Sequence, residues 1–132
     1  MSSNLTDLKQ IVLPEGIVTL KTDGIVYVKY AVDTTVDLDV QARMLDAFIE
    51  ITEKKLTPFL FEAEDGVTVT KEARDNAIVM EESTPCKATA VLVQNIAYAM
   101  IANFYVKFNK PKRPFKVFNK KEEAIEWLKL HL

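Results

Sequence analysis

The chain has 132 residues, enough for one domain with a sizeable core, and its 48% apolar and 27% charged residues match an ordinary globular protein, not a disordered one. One cysteine, Cys86, excludes an intrachain disulfide and a cysteine-based zinc cage, and one histidine, His131, leaves almost no room for His-dependent metal sites or nucleophile–His pairs. The net charge of −2 is unevenly spread: residues 1–106 hold 9 Lys/Arg against 16 Asp/Glu, and residues 107–132 hold 8 against 3.

The opening MSSNLTDLKQ lacks a charged segment followed by an apolar run, so it does not read as a signal peptide. Two β-branched runs, GIVTLKT and GIVYVKYAV, flank Asp23-Gly24, a dipeptide suited to the positive φ angles of a tight turn, and predict an antiparallel hairpin. Asp37 then caps a helix with Val40, Met44, Leu45, Phe48 and Ile51 at helical spacing, and Lys54-Lys55 closes it. TPFLFEA reads as a buried strand. After Asp65-Gly66, Thr70 caps a second helix, KEARDNAIVMEES, which Pro85 stops. CKATAVLV is a further core strand, and Asn95 caps IAYAMIANFYVKF, a helix apolar almost all round but too short to span a bilayer. RPFKVF forms the last strand. Asn119, with Glu122 three residues on, predicts a capping box for a final helix that turns Ala124, Ile125, Trp127 and Leu128 inward.

The predicted order is β-β-α-β-α-β-α-β-α in a single α/β domain over 1–132. Such alternation implies a mostly parallel sheet led by an antiparallel hairpin strand. In this architecture the strand C-termini and helix N-termini share one edge, where ligands usually bind. That edge collects Asp33, Thr34 and Thr35, then Glu62, Glu64, Asp65, Thr68 and Thr70, then Gln94, Asn95, Asn119, Lys120 and Lys121. The predicted contact residues are Glu62, Glu64, Asp65, Thr68, Thr70, Asn95 and Lys121.

The basic stretch KFNKPKRPFKVF, residues 107–118, falls between a helix end and the next strand, and so on the opposite edge. Cations at a helix C-terminus and prolines at a strand start have structural explanations, and Lys110, Lys112 and Arg113 are expected to be exposed. No nucleic-acid site is expected there. The carboxylates Glu62, Glu64 and Asp65 would support acid–base chemistry only if two of them converged. With glycine only at positions 16, 24 and 66, no phosphate loop or dinucleotide fingerprint exists, and no cofactor or metal is expected. Cys86 reads as a buried strand residue.

The element order, together with NFYVKFNKPKRPFKVFNKKEEAIEWLK at 103–129 and TKEAR at 70–74, resembles the SpoIIAA-like (STAS/Sec14-like) superfamily, and within it a bacterial branch of small stand-alone proteins without assigned function. The resemblance implies a non-enzymatic, regulatory role in binding a protein partner or small ligand. STAS anti-anti-sigma factors carry an Asp-Ser motif opening the helix after the third strand, with the serine as phospho-acceptor. This chain reads EDGVTVTKEARD there, without serine, leaving Thr68 or Thr70 as the nearest candidate and Thr70 as the phospho-acceptor expected if one exists. A Sec14-like binder of lipid or apolar ligands is the alternative, keyed to the apolar helix 96–108. An enzyme using the three carboxylates is a further one. The surplus apolar surface of helix 96–108 predicts a homodimer. The setting expected is cytoplasmic, with no stable membrane insertion.

Overall fold

Around Asp23-Gly24 the chain reverses as the dipeptide predicts. β2 (Gly16–Lys21) returns as β3 (Val26–Tyr30), with Val18 opposite Val28 and Leu20 opposite Val26. Gly24 takes φ +82, and the Asp23 carboxylate accepts the Ile25 N–H at 3.0 Å, which closes the turn. The computed structural model describes residues 6–93 and 110–132.

Ahead of this hairpin runs a strand the sequence pattern does not disclose. β1 (Asp7–Leu13) pairs antiparallel with β2, Ile11 opposite Val18 and Val12 opposite Ile17, with a register shift between Asp7 and Lys9. Asp7, Lys9 and Gln10 break the apolar alternation and hide it. An outermost strand with much of its surface in water tolerates such residues.

The remaining described elements are β4 (Thr35–Val36), α1 (Leu38–Thr52), β5 (Thr57–Ala63), β6 (Thr68–Val69), α2 (Lys71–Val79), a 3₁₀ turn (Glu81–Ser83) where the sequence pattern extends α2, β7 (Cys86–Leu92), β8 (Phe115–Phe118) and α3 (Lys121–Lys129). The six-stranded sheet has the order β1-β2-β3-β5-β7-β8, and β3, β5, β7 and β8 are mutually parallel. β4 and β6, too short to show as a pattern in the sequence, form a separate two-stranded parallel sheet.

Alternation along β3 and β5 divides the core. Val26, Val28 and Phe59 face α1 and pack on its Met44, Phe48 and Ile51, with the Phe48 and Phe59 rings edge-on at 5.0 Å. Ile25, Tyr27 and Leu60 face α3 and meet Ala124 and Leu128. Phe59 and Leu60 have no exposed surface, and burying side chains of this size stabilises by roughly 1.5–3 kcal/mol each.

The helix caps explain where the helices begin. Asp37 Oδ1 accepts the Val40 N–H at 2.9 Å and Thr70 Oγ1 accepts the Ala73 N–H at 3.1 Å, as predicted. The capping box at Asn119 does not form. Val93 N–H donates to Phe118 O at 2.9 Å, which holds the strand path to Phe118, and Lys120, still extended at φ −128, becomes the cap without a side-chain bond. Glu122 is therefore second in the helix instead of third, out of place for the reciprocal bond.

The basic stretch also differs from expectation. Lys110 and Lys112 are exposed, but Arg113 is half-buried. Its Nη1 donates to Thr84 O at 2.8 Å and Cys86 O at 2.9 Å, while the Lys112 and Arg113 N–H groups each donate to the Glu81 carboxylate at 3.2 Å. Arg113 fixes the approach to β8 against the turn before β7. Asn95 and the helix predicted at 96–108 lie outside the described residues. Among the described residues, no helix is long and apolar enough to cross a membrane.

Candidate functional site

At the C-terminal ends of β3 and β5, two loops are stitched together by main-chain bonds. Asp33 N–H donates to Asp65 O, Thr68 N–H to Thr34 O and Thr70 N–H to Val36 O, each at 3.0 Å. Two positive-φ residues make the approach possible. Asp33 has φ +62, and Gly66 has φ +79 with its Cα so close to Asp33 that an added Cβ would lie 1.9 Å from the carboxylate Oδ1. Thr35 stands beside Thr68, their hydroxyl oxygens 3.4 Å apart, on the exposed surface of the β4–β6 pair.

This small sheet feeds directly into two helix N-termini. Asp37 follows β4 and caps α1; Thr70 follows β6 and caps α2. Gln41 Nε2 donates to Ala73 O at 2.7 Å, and Asn76 Nδ2 donates to Gln41 Oε1 at 2.8 Å, tying the two helices together. Arg74 reaches back to Val69 O at 2.6 Å. Glu15, in the β1–β2 turn, accepts from Arg43 Nη2 at 2.7 Å, and that hydrogen bond holds its carboxyl below the usual range.

The carboxylates at the C-terminal end of β5, Glu62 in the strand and Glu64 just past it, point elsewhere. Period-two alternation places Glu62 on the α3 face with Leu60, where Lys121 Nζ meets it at 3.0 Å. Glu64 pairs with Lys29 Nζ at 3.1 Å. Tyr27 lies among these charges, with Lys21 Nζ 4.6 Å and Lys121 Nζ 5.7 Å from its ring centre. Its hydroxyl donates to Asp23 at 2.5 Å, and burial, then that bond, pushes its ionisation well above the ordinary tyrosine range.

The predicted contact residues thus form two groups on one edge. Thr68 and Thr70 sit with Thr35 at the α1 and α2 N-termini, next to the exposed Asp65. Glu62, Glu64 and Lys121 form ion pairs on the α3 side. Asn95 lies outside the described residues. Sequence reasoning missed Lys29, although strand alternation beside Glu62 carried the signal, and it missed the exposed apolar residues Val32, Leu38 and Val69 around the β4–β6 pair. Between α1, α2 and the sheet, Tyr30, Phe48, Phe61 and Val67 line an apolar groove.

A mostly parallel sheet led by an antiparallel hairpin, with helices entering from its C-terminal edge, defines a SpoIIAA-like α/β domain. A crystal structure of an uncharacterized protein from Shewanella loihica PV-4, of the DUF3478 family and with a SpoIIAA-like fold, is similar at TM-score 0.58, covering 97% of this chain and 98% of that one. At 15% identity this likeness concerns the fold alone. The chain belongs to the family described as a domain of unknown function (DUF7793), whose model matches residues 18–132. No curated protein matches the sequence.

Proposed function

We propose that this is a non-catalytic binding domain whose contact surface is the strand C-terminal edge around Thr35 and Thr68. The observation that carries the reading is the exposure of Val32, Leu38 and Val69 on the segments that carry those threonines, Val69 on the opposite face of the β4–β6 pair from Thr68. Apolar side chains ringed by polar groups suit a protein partner. The carboxylates at the end of β5 do not favour acid–base catalysis, because Glu62 and Glu64 each already meet a lysine instead of converging. Nucleic acid is disfavoured here too, since Asp33, Asp39 and Asp65 are exposed around the threonines while Lys71 and Lys121 are paired with carboxylates. A phosphate on Thr70, at the start of α2, would lie against the first N–H groups of that helix and alter the same surface.

The test is site-specific photo-crosslinking in the source organism from a residue inserted at Thr68, with the exposed Glu126 on α3 as control. A partner captured from position 68 and not from 126 supports the reading. Capture from 126 alone defeats it.

A further inference from the structure

Resting on that reading of the edge, we propose that a second copy of this chain is one of its partners, docking head to tail. The C-terminal edge of one molecule meets the opposite edge of the next. The first surface combines exposed Val32, Leu38 and Val69 with the exposed carboxylates Asp33, Asp39 and Asp65. The second lies at the other end of β5, a seven-residue strand about 20 Å long. There Lys54 and Lys55 leave α1, Lys110 and Lys112 approach β8, and all four are exposed.

That second surface is also concave and partly apolar. Ile49, Leu56 and Pro85 line a cleft of about 250 Å³ with Lys54 at its wall, and Leu56 is 58% exposed. Glu53, Glu81 and Glu82 at this end oppose the match; Glu53 is paired with Lys9 and Glu81 accepts the Lys112 and Arg113 N–H groups, which leaves Glu82 against the exposed Lys54, Lys55, Lys110 and Lys112. An acidic-apolar end and a basic-apolar end at opposite poles of one molecule cannot satisfy each other within that molecule. They complement each other between copies. Because the two patches differ, the contact is heterologous, and repeating it gives an open chain or a ring instead of a closed pair. Small patches with several exposed charges make the contact weak and strongly dependent on salt.

The experiment is sedimentation velocity on the full chain up to about 1 mM, the range of weak association. It is run at about 0.01 M and about 0.15 M salt, over which the screening length falls from about 30 to 8 Å. Two variants are compared: Asp65→Asn with Val69→Ser at one end, and Lys54→Gln with Lys55→Gln at the other, each checked for native circular dichroism. The wild type is expected to grow past a dimer at low salt, with its association constant at least about tenfold lower at the higher salt. Each variant alone stays monomeric, and their equimolar mixture gives dimers and nothing larger, since one intact end remains on each. A wild type that stays monomeric throughout overturns the proposal and leaves the edge open to a different partner. A dimer that stops at two copies, with variants that do not restore each other, overturns it in favour of a symmetric contact.

Discussion

Lys121 on α3 and Glu62 on β5 meet at 3.0 Å, so the last helix is pinned by its first residue to the end of a central strand. Lysine is disfavoured in a helix's positive first turn, and the facing carboxylate offsets that cost here. Both groups are partly open to solvent, so the pair is worth little in isolation. A double-mutant cycle with Glu62→Gln and Lys121→Gln is expected to give a coupling of about 0.5 kcal/mol in urea unfolding. A coupling indistinguishable from zero means that Lys121 points into water instead.

Thr70→Ala removes the bond from Ala73 N–H and should cost about 1 kcal/mol in chemical denaturation. Thr70→Glu is expected to keep the native circular dichroism spectrum, since negative charge is favoured at a helix N-terminus, while weakening partner capture from position 68.

Substitutions in the basic stretch should not be equivalent. Lys110→Ser and Lys112→Ser are expected to change stability by less than about 0.5 kcal/mol, as is usual for exposed positions. Arg113→Ser strands the Thr84 and Cys86 carbonyls and should cost about 1–3 kcal/mol. Equal unfolding midpoints for all three variants would contradict the arrangement around Arg113.

Gly66→Ala is expected to destabilise by more than about 1 kcal/mol, because it adds a Cβ at a positive φ and drives it into the Asp33 carboxylate. Shortening the obstacle with Asp33→Ala should recover only part of the loss, since the backbone strain at Gly66 remains. Full recovery of the melting temperature would mean that the clash alone matters.

Burial pushes the Cys86 thiol up to about 12, against the weaker opposing effects of Thr84 and Arg113. Burial raises Tyr27 and Tyr30 as well. The folded state therefore keeps protons that the unfolded chain releases, and stability falls as pH rises from about 9 towards 12. The urea midpoint should decline over that window, less steeply for Cys86→Ala. Iodoacetamide at pH 8 is expected to label native Cys86 slowly and the denatured chain quickly.

Much of the scaffold was legible because single residues with strong local preferences sit at element boundaries. Asp23-Gly24 marks the hairpin, Asp37 and Thr70 mark helix starts, and the apolar spacing of Val40, Met44, Phe48 and Ile51 marks the buried face of α1. What stayed hidden depends on tertiary partners. β1 owes its pairing to β2 more than to its own polar-interrupted sequence, and the two-residue strands β4 and β6 exist only because two distant loops approach. Asn119 had the right chemistry for a cap, but the ladder to Phe118 moved the helix start past it. That strand C-termini and helix N-termini share one edge follows from the topology. Its division into ion pairs on one side and threonines with exposed valines on the other depended on side-chain direction along β5, which the alternation from Phe59 to Glu62 carried.

The irregularity at Leu8, between Asp7 and Lys9, bears on what the molecule avoids. β1 ends the sheet, and an even row of open main-chain groups there would invite another strand to add on, the first step towards aggregation. A bulge twists the strand and interrupts the regular spacing a newcomer would have to match, and beside it Lys9 pairs with Glu53 at 3.0 Å, tying the start of β1 to the end of α1. The start of β1 is thereby a poor template for a further strand, although the ladder from Lys9 to Leu13 runs in regular register.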